Sequence, residues 1–98
     1  MKKVFVYGIL QQKHSGEDFR IKKDNVIGRA TAPNYKRICL TQIVPTGNEE
    51  DSVEGEVIEI PDEIEEELYR FEKQFGYARA NIKAYVDDEE HEAICYLV

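Results

Sequence analysis

The sequence is poor in several residue types and in positive charge. It has no tryptophan, one methionine and two cysteines, and its 13 lysines and arginines face 20 aspartates and glutamates, a formal net charge of −7. A nucleic-acid-binding protein needs clustered basic side chains to displace counterions from phosphates. The basic residues are scattered here, apart from Lys22-Lys23 and Lys36-Arg37, so we expect no nucleic-acid partner.

Long apolar segments are also missing. No run approaches the roughly 18 residues of a membrane-spanning helix, and the apolar stretch after Lys2-Lys3 is too short for a signal peptide and lacks a small-residue cleavage site. We therefore expect a cytoplasmic protein with no membrane partner. Because cytosolic cysteines are commonly reduced core residues, we expect Cys39 and Cys95 to be buried thiols. Neither has a Cys or His neighbour at metal-ligand spacing.

What the chain does have is a series of short strand patterns. At 98 residues, 42% of them apolar, it has room for one domain (residues 1–98) with one modest core. The turn pair Pro33-Asn34 predicts a hairpin between the second and third strands, an acidic turn at residues 87–90 predicts another between the last two, and residues 45–52 predict a loop. Alternating or β-branched apolar runs predict strands at residues 4–7, 26–32, 35–40, 53–60, 79–86 and 92–98.

One helix is clearly indicated after residue 60. Pro61 and Asp62 suit its start, acidic residues crowd its first turns, and Gly76 is placed to end it. Its apolar residues recur at helical spacing and form one stripe: Ile64, Leu68, Phe71 and Phe75. Strands dominate the order of elements, which favours an α+β fold with a mostly antiparallel sheet or small barrel over a doubly wound α/β fold.

The first feature that suggests a site is the turn Tyr7-Gly8-Ile9-Leu10. A buried strand that runs into it leaves consecutive backbone N–H groups at the strand end, and Gly8 permits a tight bend and close approach of a ligand. Such donors can hold a carboxylate or an oxyanion. The same residues also fit an ordinary turn after a core strand, and the local sequence leaves both readings open.

The second feature is Glu72. With about 100° per residue, it lies roughly 70° from the centre of the apolar stripe, on the flank of the predicted buried face. A carboxylate at the margin of an aromatic surface can have its pKa raised by desolvation, which suits a general acid or base. Alternatively, Glu72 pairs with a lysine or arginine at the rim of the core.

Tyr77 and Arg79 follow the helix closely enough to share a site with its last turn. Arg79 can clamp a substrate carboxylate, or it can pair with one of the many glutamates. Tyr77 can present its hydroxyl to a pocket or only pack against the core.

Taken in order, these pieces resemble the γ-glutamylcyclotransferase-like family, which includes the γ-glutamylamine cyclotransferases and plant AIG2-like proteins. The matching pieces are residues 4–10 (VFVYGIL, for the family's VFVYGTL), Gly28 at a strand glycine, Pro45 in a proline-bearing loop, residues 53–57 (VEGEV, for V-x-G-E-V), residues 68–72 (LYRFE, for the helix end L-D-x-F-E) and Tyr77-x-Arg79 for Y-x-R.

The resemblance implies a mixed, mostly antiparallel β-barrel with one main helix and a pocket between the turn and the helix-end glutamate. It implies that Glu72 is the acid/base, which takes a proton from the substrate's α-amine as that amine attacks its own γ-carbonyl to close 5-oxoproline. The same carboxyl then protonates the departing amine. The substrate-binding residues would be Tyr7, Gly8, Ile9, Leu10, Tyr77 and Arg79.

The reaction implied by the resemblance needs no metal or organic cofactor, and its partner is a small-molecule γ-glutamyl substrate. We expect a monomer or weak homodimer. The chain departs from the family's pattern where Ile9 replaces a threonine, where Tyr69 stands at the aspartate position, and where the segment 11–18 is abbreviated. Ile9 and the short segment motivate an alternative hypothesis, a non-catalytic small-molecule-binding or interaction protein on the same scaffold.

Overall fold

A small β-barrel and one helix make up most of what the structure, a computed structural model, describes: residues 1–7, 25–39 and 42–97. The elements in chain order are β1 (Lys2–Val6), β2 (Val26–Pro33), β3 (Tyr35–Cys39), β4 (Gln42–Pro45), β5 (Ser52–Ile60), α1 (Asp62–Lys73), β6 (Ala78–Val86) and β7 (Glu89–Leu97). No helix within these ranges is long and apolar enough to cross a membrane.

The barrel consists of β1, β5, β2, β6 and β7, hydrogen-bonded in that order. Its pairs are antiparallel except at the seam, where β1 runs parallel to β7 with Val4 opposite Ile94. Closure of the sheet removes free strand edges, which otherwise invite pairing with other chains. The expected α+β class, with a small and mostly antiparallel barrel and one main helix, is confirmed.

Strand β1 is a continuous apolar run because both of its faces are buried. Phe5 belongs to the cluster inside the barrel, whereas Val4 and Val6 belong to a second cluster that includes Leu68 of α1. Side chains alternate along a strand, so β1 contributes to both cores at once. The outer cluster fixes the helix against the barrel, next to the end of β1.

The hairpin predicted around Pro33-Asn34 is wrong in its pairing. Strand β2 bonds to β5 along one edge and to β6 on the other, so neither edge is open to β3. The backbone of Asn34 takes a left-handed conformation (φ 71°), and β3 leaves the barrel to pair with β4 in a separate two-stranded sheet. Because Pro45 is the last residue of β4, the predicted loop begins one residue later than expected.

The hairpin of β6 and β7 is confirmed, with a tight turn at Asp87 and Asp88, both at positive φ. The two cysteines differ in environment. Cys95 in β7 is a buried free thiol, as expected, but Cys39 is exposed. The expectation for Cys39 fails because β3 lies in the small sheet outside the barrel, where most of its residues face solvent.

Candidate active site

Helix α1 carries two glutamates on its buried face. The buried residues are Ile64, Glu65, Leu68 and Glu72, whereas Phe75, expected in the apolar stripe, is 62% exposed. With about 100° per residue, the buried face is rotated about 45° from the predicted stripe, toward the glutamates. Glu72 therefore lies near the centre of the buried face and not on its flank.

The end of the helix fixes the backbone around Glu72. The Tyr77 N–H donates to the Glu72 carbonyl (3.3 Å) and the Gly76 N–H to the Lys73 carbonyl (3.1 Å), the bond pair of a Schellman motif. Gly76 has φ 85°, a conformation that favours glycine, and it confirms the predicted helix end. The motif ties Tyr77 to the same turn of chain as Glu72.

Glu65 is fully occupied by partners. The Arg79 guanidinium donates two bonds to its carboxylate, at 3.1 Å from Nε and 2.9 Å from Nη2, and the Tyr96 hydroxyl donates a third. The side chain is 2% exposed. Three hydrogen bonds, two of them from one guanidinium, offset the cost of burying this charge,.

Sequence reasoning missed Glu65, which it counted only among the acidic residues of the first helical turns. The spacing of Glu65 and Glu72, seven residues or about two helical turns, was the available signal that both share one face. The aromatic residue Tyr69 joins the same cluster: the Arg79 guanidinium carbon lies 3.9 Å from its ring centre, and its ring stacks on Tyr96 at 6.4 Å. The departure from the family's aspartate thus supplies a surface on which Arg79 rests.

Glu72 is buried without such compensation. It is 7% exposed, and its carboxylate has no hydrogen bond or ion pair with any other residue that the structure describes. Desolvation by burial raises the pKa of this carboxyl. No described side-chain oxygen or nitrogen is both fully buried and without a hydrogen bond.

Tyr7, at the end of β1, shares this environment. Its hydroxyl donates to the Tyr96 carbonyl at 2.5 Å, and burial, followed by the charges of Cys95, Tyr77 and Glu72, raises its pKa. The phenol therefore stays neutral, and the structure brings Tyr7, Glu72 and Tyr77 together. Because the Tyr7 O–H donates its hydrogen bond to the Tyr96 carbonyl, the lone pairs of the Tyr7 oxygen remain able to accept a further hydrogen bond.

The remaining predicted residues are placed differently. Gly8, Ile9 and Leu10 lie outside the described residues. Arg79 binds Glu65 and, through Nη2 at 3.1 Å, also Glu66. The alternative in which it pairs with glutamates therefore describes its observed contacts. Its predicted contact with a substrate stays a prediction.

Sequence reasoning also missed Arg37, which it noted only as part of a basic pair. From β3, its Nη2 donates to the Tyr7 carbonyl at 2.6 Å, the last carbonyl before the predicted turn. Nothing in the local sequence signals this contact, because 30 residues separate its partners.

The arrangement is suited to proton transfer. A buried carboxyl with a raised pKa holds its proton more readily than an exposed one and can both accept and donate it,, and the neutral Tyr7 phenol beside it can orient a polar substrate. The described residues contain no group of three His, Cys, Asp or Glu side chains placed to hold a metal ion. An open groove of about 670 Å³ elsewhere on the barrel, between Arg29, Glu54 and Asp88, includes none of the predicted site residues.

Comparison with protein families gives one match over nearly the whole chain: residues 4–98 fit the family described as gamma-glutamyl cyclotransferase, AIG2-like. Comparison with curated proteins gives no match.

Solved structures share the fold at low sequence identity. YkqA from Bacillus subtilis superimposes with a TM-score of 0.78 at 21% identity, covering 98% of this chain and 35% of that protein. The Arabidopsis thaliana protein At3g28950.1 gives 0.74 at 24%, covering 98% and 61%. The Pyrococcus horikoshii protein PH0828 gives 0.74 at 18%, covering 99% and 77%. The chain thus spans about a third of YkqA and about three-fifths of the Arabidopsis protein.

Proposed function

Because the chain belongs to the gamma-glutamyl cyclotransferase, AIG2-like family, we propose that it converts a γ-glutamyl amine or peptide into 5-oxoproline and the free amine. Glu72 is the acid/base in this proposal. The observation that carries it is the contrast on one helix face: Glu65 is neutralised by Arg79 and Tyr96, whereas Glu72 is buried, has no described partner and has a raised pKa.

The proposed reaction is an intramolecular acyl transfer. The Glu72 carboxylate accepts a proton from the substrate's neutral α-amine as the nitrogen of that amine attacks the γ-carbonyl carbon, which forms a tetrahedral intermediate. The protonated Glu72 then donates that proton to the departing nitrogen, so that the amide bond breaks and the lactam closes. Because nucleophile and carbonyl belong to one molecule, holding the glutamyl arm folded supplies much of the rate.

Of the other predicted residues, all but Arg79 have binding roles in this proposal. Backbone N–H groups of Gly8, Ile9 and Leu10 hold the glutamyl group, and the Tyr7 oxygen accepts a bond from it. Tyr77 borders the pocket beside Glu72. Arg79 contributes indirectly, because it neutralises Glu65 and so leaves Glu72 as the reactive carboxyl of the helix face.

The test is release of 5-oxoproline from a panel of γ-glutamyl amines and peptides, measured by chromatography. Glu72→Gln keeps the shape of the side chain but cannot accept a proton, so we expect kcat/KM to fall by roughly 100-fold or more. Glu67→Gln removes an exposed charge from the same helix and should leave turnover unchanged. Equal turnover by wild type and Glu72→Gln would remove Glu72 from the mechanism.

The pH profile gives an independent check. The base must be ionised, so kcat/KM should rise with pH through the pKa of Glu72, and burial places that midpoint above the ordinary value of 4.5. A midpoint at or below the ordinary value would contradict the assignment.

A non-catalytic binding protein on this scaffold is the competing outcome of the same assay, reached when a ligand binds without turnover at any pH. We propose further that the protein works in the cytoplasm as a monomer or weak homodimer. Cell fractionation and sedimentation at two protein concentrations test these two points.

A further inference from the structure

A γ-glutamyl group carries an α-carboxylate, and the proposed site needs positive charge to hold it. Arg79 is a poor candidate, because Glu65 and Glu66 already bind its guanidinium. The site also contains the Glu72 carboxyl, whose charge would repel a substrate carboxylate. A second cation is therefore required if the α-carboxylate is recognised through its charge.

Arg37 is a cation next to the end of β1, beside Tyr7. Its Nη2 is 2.6 Å from the Tyr7 carbonyl and 3.4 Å from the Glu54 carbonyl, so it joins the ends of β1 and β5 where their pairing stops after Val6 and Glu56. Its guanidinium carbon is 5.8 Å from the centre of the Tyr7 ring. The positive charge thus stands beside the strand end that leads into the predicted turn.

The charge of Arg37 also acts on the site electrostatically. Burial raises the pKa of the Tyr7 hydroxyl, and Cys95, Tyr77 and Glu72 raise it further; among the described groups that act on this hydroxyl, Arg37 alone opposes them. Arg37 is therefore the cation whose field reaches the phenol next to Glu72. The Arg37 residue is also exposed to solvent.

We propose that Arg37 is the specificity-determining cation of this site and selects γ-glutamyl groups that carry a free α-carboxylate. This inference rests on the proposed function. Arg37 acts by charge on the bound carboxylate, and it also holds the end of β1 through the Tyr7 carbonyl. A purely structural role predicts a different result, because loss of structure weakens all ligands alike.

The experiment compares binding of L-5-oxoproline with that of L-5-oxoprolinamide, which has the same ring but a neutral carboxamide, by NMR titration. A charged hydrogen bond corresponds to roughly a 10- to 100-fold difference in affinity, so wild type should prefer the carboxylate by about this factor. In Arg37→Gln the carboxylate should lose affinity while the carboxamide keeps its own, and the preference should approach one. Arg37→Lys, which keeps the charge but not the fork, should retain part of the preference.

Lys36→Gln is the matched control, since it removes the neighbouring positive charge, on the opposite side of β3, and should leave the preference unchanged. The proposal is overturned if wild type shows no preference or binds neither probe. It is also overturned if Arg37→Gln keeps the preference or weakens both probes equally. Absence of turnover in wild type that still prefers the carboxylate would sink the proposed enzyme activity and leave this inference standing.

Discussion

Glu65 and Glu72 lie on the same buried helix face and differ only in what surrounds them. Arg79 and Tyr96 satisfy Glu65, which makes it part of the contact between the helix and the barrel. Glu72 has no such support and bears a desolvation cost when it is ionised. A protein retains a destabilised buried charge chiefly where that charge is used, so residues of this kind cluster at functional sites.

We predict that neutralising the two glutamates has opposite effects on stability. Glu72→Gln should raise the free energy of unfolding at neutral pH. Because the folded-state pKa is raised, folding favours the protonated form, so the penalty of Glu72 is absent below the ordinary pKa of 4.5 and grows as pH rises through the folded-state pKa,. The gain in stability of Glu72→Gln should therefore shrink toward zero as the pH falls to the ordinary pKa of 4.5. Urea unfolding at several pH values measures it.

Glu65→Gln should be destabilising, because it leaves the part-buried Arg79 without its carboxylate. Since the Arg79 side chain is 32% exposed, water softens the loss, and we expect a cost of roughly 2–4 kcal/mol. The same urea unfolding series measures it. If both variants shift stability in the same direction, the assignment of one paired and one unpaired glutamate is wrong.

The two cysteines give a second prediction at this scale. Burial raises the pKa of Cys95 to about 12, so its thiol stays protonated and inaccessible at pH 8, whereas Cys39 is exposed. Because the thiolate is the reactive form, iodoacetamide should add one label to the folded protein and two after denaturation. Mass spectrometry of the peptides should place the first label on Cys39.

At the scale of elements, close approach of β1 and β5 explains a glycine of the VEGEV strand. A Cβ built on Gly55 would lie 2.2 Å from the Val6 carbonyl oxygen, a backbone atom, whereas one on Gly28 would meet only a Val86 methyl group, at 2.8 Å. A side-chain methyl can rotate away, but a backbone oxygen in a paired strand cannot. Gly55 thus sets how tightly β1 lies on β5 just before Tyr7.

We therefore predict that Gly55→Ala costs more stability than Gly28→Ala. The first should cost roughly 3 kcal/mol or more because the strand backbone must shift, and the second roughly 1 kcal/mol. Thermal unfolding of the two variants measures the difference. Equal losses of stability in the two variants would show that the end of β1 can move, and so would count against a fixed position for Tyr7 in the proposed site.

At the scale of the whole molecule, a net charge of −7 on 98 residues opposes compaction. Exposed ion pairs offer little relief: Arg29 and Glu54 are 3.7 Å apart with side chains 79% exposed, and such pairs contribute little to stability. Repulsion among the excess acidic residues is therefore the larger surface electrostatic effect.

Salt should accordingly stabilise the protein. Raising NaCl from about 10 mM to about 300 mM shortens the screening length severalfold, so we expect Tm to rise at pH 7. At a pH near the isoelectric point of 4.8 the net charge vanishes, and the same addition of salt should have little effect. A fall in Tm with salt at pH 7 would indicate that attractive pairs dominate instead.

Local sequence was enough to predict the features that depend on neighbouring residues. The run at residues 4–7, the alternation in β5, the acidic turn of the last hairpin and the helix ending at Gly76 are patterns of local periodicity and backbone preference, and the structure has them all. The ordered motifs also identified the family. Glu72 was recognisable as a candidate because its helix, and its place one turn after Leu68, were visible in the pattern.

The partners of these elements and side chains could not be predicted in the same way, because they depend on packing between distant segments. Strand β3 left the barrel because β5 and β6 occupy both edges of β2, a competition between distant segments that no local pattern records. The rotation of α1 about its own axis depends on the shape of the barrel surface beneath the helix. That rotation buries Glu65 and Glu72 and exposes Phe75. Arg79 on Glu65, and Arg37 on the Tyr7 carbonyl, are likewise contacts between residues far apart in sequence. The first of these contacts satisfies Glu65, whereas Glu72 on the same helix face has no described partner.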